Sequence, residues 1–477
     1  MAFFRRTSLT ACLMAAVCTI TPMAAEIGPG VSSLSPGDTY AEYQWGLEND
    51  GSLQLVEIRS RFANGGSAYD APADGPHSGL PIPTGPGDYE VLTTNAAAGV
   101  DIDIAPAWEL YDASQTNRDV VVAVIDTGVD ILHPDLRNSI WTNDGEIPGD
   151  GIDNDGNGYV DDYFGWDFFY NDPSVFSMGS EEDTHGTHVA GTIAAGRNNG
   201  GVAGITGSEH VKIMVLKALG TSQGVGSPED VVAAIHYAEA NGASICNLSF
   251  CSNVYSQELA DTIQNSSMLF VVAAGNGDES GTGVDIDSVP TYPASLPFDN
   301  VITVSNLMFD GNLASSSNYG ALSADIAVPG SYIVSTIPGG YGFLSGTSMA
   351  APMVTGAAAL LYSYRPDYSL ADVRNAILGS ARQMDTLTGK VSSGGMLDVG
   401  AAFLWTKREG KRGGAVSLPR TPAGRRRETS ISGLRPSYFF QFFISSGREP
   451  ETRKALTQSF RPPRFRRHNC PGFSQNR

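Results

Sequence analysis

"DVVVAVIDTGVD", residues 119–130, opens with seven residues, six of them apolar, that show no alternation of polar and apolar positions. A strand with one wet face alternates; a strand buried on both faces does not, and such strands belong to parallel sheets covered by helices. Five more runs share this character: "VKIMVL" (211–216), "ASICNLSF" (243–250), "LFVVAAG" (269–275), "NVITVS" (300–305) and "ADIAV" (324–328). Helical segments separate them. "SPEDVVAAIHYAEANG" (227–242) carries Ser227 as N-cap, Pro228 in the first turn, Asp230 as reciprocal cap partner and Gly242 as stop. "SLADVRNAIL" (369–378) repeats the logic with Ser369 and Asp372. Strand–helix alternation predicts a doubly wound α/β sheet with its site at the carboxyl ends of the strands.

Polar residues stand at those ends. Asp126 closes the first run. Asn276 closes "LFVVAAGN". His185 opens the small-residue segment "DTHGTHVAGTIAAG" (183–196), and Ser348 opens the apolar helix "SGTSMAAPMVTGAAALL" (345–361). A serine hydroxyl needs a base to become a nucleophile, and the base needs an anion to hold its tautomer. Ser348, His185 and Asp126 supply the three parts, and a helix start offers free N–H groups to a developing oxyanion. His185 and His188, three apart, share a helix face that zinc could use. No HExxH glutamate and no Cys/His cluster accompanies them, so His188 is expected to be a packing residue.

The motifs "VIDTGVD", "HGTHVAGT", "AAGN" and "GTSMAAP", in the order Asp126, His185, Ser348, resemble the subtilisin-like serine proteases (subtilases, peptidase family S8). The triad order and the oxyanion asparagine are established for subtilisin itself. The likeness runs from about Asp38, with "YQWGLEND", to about Trp405. It implies a three-layer α/β/α domain with a mostly parallel central sheet, and hydrolysis of peptide bonds through an acyl-enzyme. Ser348 attacks, His185 relays the proton, and Asn276 with the Ser348 N–H holds the oxyanion. It also implies that Gly224 and Gly226, with Leu248, Ser249 and Phe250, pair with the substrate backbone, and that Ala273, Ala274 and Gly275 line the first specificity pocket. Cys251 stands where the family usually has glycine, and Thr291 replaces a commonly smaller residue at the pocket floor. The rival from another class is a catalytically idle subtilase fold used for binding or scaffolding.

Calcium is the expected structural ion, and no organic cofactor is expected. Residues 142–172 hold nine acidic and no basic residues. Asp153, Asp155, Asn157, the carbonyl of Tyr159 and Asp161 match the first nine places of an EF-hand-type loop, although Phe164 at the twelfth place cannot ligate. By resemblance, a second site draws on Asp135 in "HPDL", on the loop "RNNGGV" (197–202), and on Asp38 or Gln44.

Residues 1–25, with Arg5 and Arg6 before an apolar run and Ala24–Ala25 at its end, read as a secretory signal peptide. A short segment, 26–37, leads into a catalytic domain over 38–406. Within it the Gly/Pro/Ala-rich stretch 51–100 reads as a long surface loop. Only about a dozen residues separate the signal from the family-like start, so little or no prosegment is expected unless 51–100 serves as one. The chain's net charge of −21 is unevenly split: residues 26–406 carry 11 basic and 47 acidic residues, the tail from Lys407 17 basic and 4 acidic. The acidic domain repels nucleic acid and anionic membranes. The tail, without periodicity, reads as disordered. Cys246, Cys251 and Cys470 remain after the signal, too few for a disulfide scaffold. The expected partners are protein or peptide substrates, with no nucleic acid and no stable membrane insertion, and the expected state is a secreted monomer.

Overall fold

The computed structural model describes residues 13–14, 25–30, 32–60, 89–207, 209–221, 223–278 and 280–407. The signal-peptide reading, the central part of the 51–100 stretch and the basic tail fall largely outside these residues.

A nine-stranded sheet organises the chain. Its strands are β1 (Val120–Asp126), β2 (Gly165–Asp167), β3 (Val211–Lys217), β4 (Ile245–Leu248), β5 (Leu269–Ala273), β6 (Val301–Leu307), β7 (Ile326–Pro329), β8 (Arg382–Gln383) and β9 (Gly395–Met396). The order across the sheet is β8-β9-β7-β6-β5-β4-β1-β3-β2. All neighbours run parallel except β8 on β9. The central strands are buried along nearly their whole length, as their unbroken apolar runs require.

Among the described residues seven α-helices complete the layers: α1 (Ala105–Asp112), α2 (Thr184–Ala194), α3 (Pro228–Ala240), α4 (Gln257–Asn265), α5 (Thr347–Tyr364), α6 (Leu370–Gly379) and α7 (Val399–Leu404). Helices α2 and α5 pack on each other, with α5 lying across β4–β7, while α3 and α4 form a second pair. The result is the three-layer α/β/α fold. The caps expected at Ser227 and Ser369 form: each hydroxyl accepts the N–H three residues on, and Asp372 returns the bond to complete a capping box. Gly242, at φ +81°, follows the end of α3.

One expectation fails. The stretch 51–100 is not simply a loop. Gln54–Ser60 and Tyr89–Asn95 form an antiparallel pair in register from Gln54↔Asn95 to Ser60↔Tyr89, with Ala25–Ile27 added on the far side of the first strand. Separately, the short strand Val225–Gly226 lies between Leu219–Gly220 and Leu13–Met14, antiparallel to both. Among the described residues no helix is long and apolar enough to cross a membrane.

Candidate active site

Asp126 ends β1, and its Oδ1 accepts the N–H of Thr127 at 2.7 Å. The same oxygen lies 2.7 Å from His185 Nδ1. Helix α2 reaches this point because its third residue is glycine: a Cβ on Gly186 would run into the Gly128 carbonyl oxygen. Gly186 N–H also donates to Thr127 Oγ1 at 3.1 Å, tying helix to strand end. Burial alone would lower the His185 pKa; the charge and hydrogen bond of Asp126 outweigh it and move the imidazole above its ordinary 6.5. Nε2 of His185 is buried and makes no hydrogen bond. The other histidine of the motif is separate. His188 is fully buried, its Nε2 sits 2.9 Å from the Ile333 carbonyl, and desolvation depresses its pKa to about 3. It packs as a neutral side chain.

Ser348 is the second residue of α5, after Gly346 as N-cap and Thr347. Its Oγ donates to the Ser249 carbonyl at 2.8 Å. In return Ser249 Oγ donates to the Ser348 carbonyl at 2.9 Å. That carbonyl needs an outside donor because Pro352, four residues on, has no N–H to give it. Proline in the helix thus fastens the start of α5 to the end of β4. Asn276 fastens it to the end of β5: its Oδ1 accepts Thr347 N–H at 2.8 Å and Thr347 Oγ–H at 3.1 Å. Thr347 Oγ1 itself accepts Gly275 N–H at 3.0 Å. With Oδ1 committed, Nδ2 is the donor end of the Asn276 amide.

Two of the three segments assigned to substrate lead to this point. Leu248 ends β4, and Ser249 and Phe250 follow it, both buried. Ala273 ends β5, and Ala274 and Gly275 lead to Asn276. Gly224, at φ +59°, precedes the strand Val225–Gly226.

Sequence reasoning missed an ionic cluster behind the histidine. Lys217, at the end of β3, is fully buried, and its Nζ lies 2.8 Å from Asp183 Oδ1, 3.4 Å from Glu182 Oε1 and 3.9 Å from Asp167 Oδ2. Asp183 is the N-cap residue of α2, two positions before His185. Its other oxygen accepts Ser177 N–H at 2.6 Å. Burial raises the Asp183 pKa, and it raises that of Asp167 to about 7. The one sign in the sequence is a lysine closing the apolar run Ile213–Leu216.

The acidic loop differs in detail from the EF-hand reading. Asp153 spends its oxygens on the N–H groups of Gly156, Asn157 and Gly158, and Asp161 spends its own on Gly149, Asp150 and Gly151. Asn157 Oδ1 accepts from Tyr159 N–H. The carboxylates that converge are Glu146, Asp155 and Asp162, whose ligand atoms lie within 4.8 Å of one another. Asn143 and Asn157 each donate to both Asp155 and Asp162, and Tyr237 Oη donates to Asp162 at 2.5 Å.

The second predicted set does meet at one loop, chiefly through backbone amides. Asp38 accepts the N–H groups of Asn198, Asn199 and Gly200. Asp135 accepts that of Val202, and Gln44 exchanges two bonds with Ala203.

Comparison with known proteins agrees with this geometry. The sequence profile described as "Subtilase family" matches residues 117–403. Subtilisin-like protease 1 of Plasmodium berghei (strain Anka) is 33% identical over 318 residues, covering 62% of this chain and 52% of that protein. The major intracellular serine protease of Bacillus subtilis (strain 168) is 34% identical over 270 residues, 56% of this chain and 75% of that one. The alkaline protease of Alkalihalobacillus alcalophilus is 35% identical over 301 residues, 62% and 68%. The chain spans about half the length of the Plasmodium relatives it matches. With the profile matched over more than half of its residues, this protein belongs to the subtilase family of serine proteases.

Proposed function

We propose that the chain is an exported serine endopeptidase stabilised by calcium. The Asp126–His185 pair carries the reading: a 2.7 Å hydrogen bond at Nδ1 fixes the imidazole and leaves Nε2 without a partner of its own, available as the base. Ser348 gives up its bond to Ser249 O and passes its proton to Nε2 as Oγ attacks the scissile carbonyl. Nδ2 of Asn276 and the backbone N–H of Ser348 face the oxyanion. Asp126 stabilises the imidazolium, which then protonates the leaving amine. A water deprotonated by His185 releases the acyl group. Casein hydrolysis by the purified protein, abolished when a sulfonyl fluoride labels Ser348, is the expected result. Neither turnover nor labelling would favour the idle, binding role. Export accords with the Arg-led apolar leader, and the protein recovered from the medium is expected to begin near Glu26.

The calcium reading rests on the donor set. Glu146 and Asp162 are buried, Asp155 is exposed, and all three offer hard carboxylate oxygens at one point. Those residues, rather than Asp153, Asn157 and Asp161, would hold the ion, which would neutralise charge that the loop otherwise confines. An ion bound only to the folded state stabilises it by about 2.7 kcal/mol at a hundredfold excess over its dissociation constant. Excess chelator therefore lowers the melting temperature, and Asp162→Asn removes most of that sensitivity. A melt indifferent to chelator would refute the calcium site.

A further inference from the structure

Strands β4 and β5 are paired from Ile245↔Leu269 to Leu248↔Val272, and the ladder stops there. Beyond it one segment continues as Ser249–Ser252 and the other as Ala273–Asn276. Both continuations are tied to the start of α5, and the gap between them forms a crevice. Here its mouth is chemically defined. Ser348 Oγ rests on the Ser249 carbonyl of one lip, and Asn276 closes the other. In the peptidase proposed above, a peptide carbonyl held between Ser348 and Asn276 would have the side chain on its acyl side at this crevice.

The crevice is short. Cys251, on the first lip, directs its sulfur at the second: a Cβ built on Gly275 would lie 2.9 Å from Sγ. Thr291 is buried beneath, with Oγ1 donating to the Ala274 carbonyl at 3.1 Å. Asn318 Nδ2 donates to the same carbonyl at 2.9 Å. At the far end Ser252 and Tyr292 exchange two backbone hydrogen bonds, 2.8 and 2.7 Å long, which join the first lip to the segment carrying Thr291. None of these lining residues carries a carboxylate or an ammonium group. Burial pushes the Cys251 thiol up to about 11, so it stays neutral and serves as bulk rather than as a nucleophile.

We infer that Cys251 and Thr291 together fill the deep part of this crevice, so that the peptidase proposed above cleaves after small uncharged residues such as alanine and disfavours aromatic and basic ones. A large side chain must displace the sulfur or stay in water. A charged one would be buried beside groups whose hydrogen bonds are already made.

Peptide anilides differing only in the residue before the scissile bond test this. The wild type is expected to hydrolyse the alanine peptide at least tenfold better in kcat/KM than the phenylalanine or lysine peptide. Cys251→Gly and Thr291→Gly, made separately, should each raise the phenylalanine-to-alanine ratio at least tenfold and leave lysine poor. Sulfonyl fluoride labelling of Ser348 shows that each variant is folded. Should a variant not fold, the wild-type ranking decides alone. Wild-type labelling with phenylalanine cleaved as well as alanine overturns this inference and leaves the peptidase reading standing. No labelling and no turnover on any peptide overturns both.

Discussion

If the proposed relay operates, alanine at position 348 is expected to lower kcat roughly a millionfold, the factor established for subtilisin's own serine, while leaving the fold in place. The structure explains why the damage stays local. Ser348 Oγ makes one hydrogen bond, to Ser249 O, and removing it leaves intact the bond from Ser249 Oγ to the Ser348 carbonyl, which fastens the helix start. The pattern across variants is a sharper test than the single value. His185→Ala should match Ser348→Ala, and the double variant should be no worse than either, because base and nucleophile act as one unit. Asp126→Asn should cost less, about ten thousandfold, since it spoils the tautomer without removing the base. Steady-state kinetics on one soluble peptide, with melting temperatures as controls, reads this directly. If the losses in the double variant multiplied, His185 and Ser348 would be acting independently and the relay would be wrong.

What the sequence disclosed follows from how locally each feature is encoded. The central strands announce themselves because six apolar runs without alternation have one physical use. The site residues are legible because each sits at an element end, where a polar residue after an apolar run stands out. The pairing of Gln54–Ser60 with Tyr89–Asn95 is not legible, because the intervening chain is rich in Gly, Pro and Ala and its composition dominates the window. In the acidic loop the alternate spacing of Asp153, Asp155 and Asn157 is real, but tight turns consume much of that oxygen through backbone N–H groups, a demand no spacing rule counts. Glu146 and Asp162 lie outside the nine-place window and so escaped it. Lys217 is the clearest case. Its strand reads as apolar, and the three carboxylates around it come from β2 and from the turn before α2.

That lysine makes the second strong prediction. Lys217→Met keeps the length and apolar stem of the side chain and deletes the charge. Desolvation alone would depress the lysine pKa; the hydrogen bond and charge of Asp183, with Glu182 and Asp167, more than reverse this and hold it above its ordinary 10.5. At neutral pH the wild-type cluster is therefore anchored by a permanent cation. Without it, Asp183, the residue from which the His185 helix starts, is fully buried with no positive partner and keeps the Ser177 N–H as a hydrogen-bond donor. Removing one partner of a buried ion pair costs about 3–5 kcal/mol, on the order of 4–6 °C in melting temperature for a domain of this size. The loss should depend on pH in a definite direction. Asp167 and Asp183 already sit above the usual carboxylate range through burial, and deleting the ammonium group raises them further. Between the unfolded value near 4 and these raised folded values, the folded variant holds protons that the unfolded chain has lost, so its stability rises as pH falls. The melting-temperature gap between wild type and Lys217→Met should therefore be largest near pH 8 and shrink toward pH 5. A gap that is absent at pH 8, or that widens on acidification, would mean that the lysine is not the counter-charge that holds the start of α2 to the sheet.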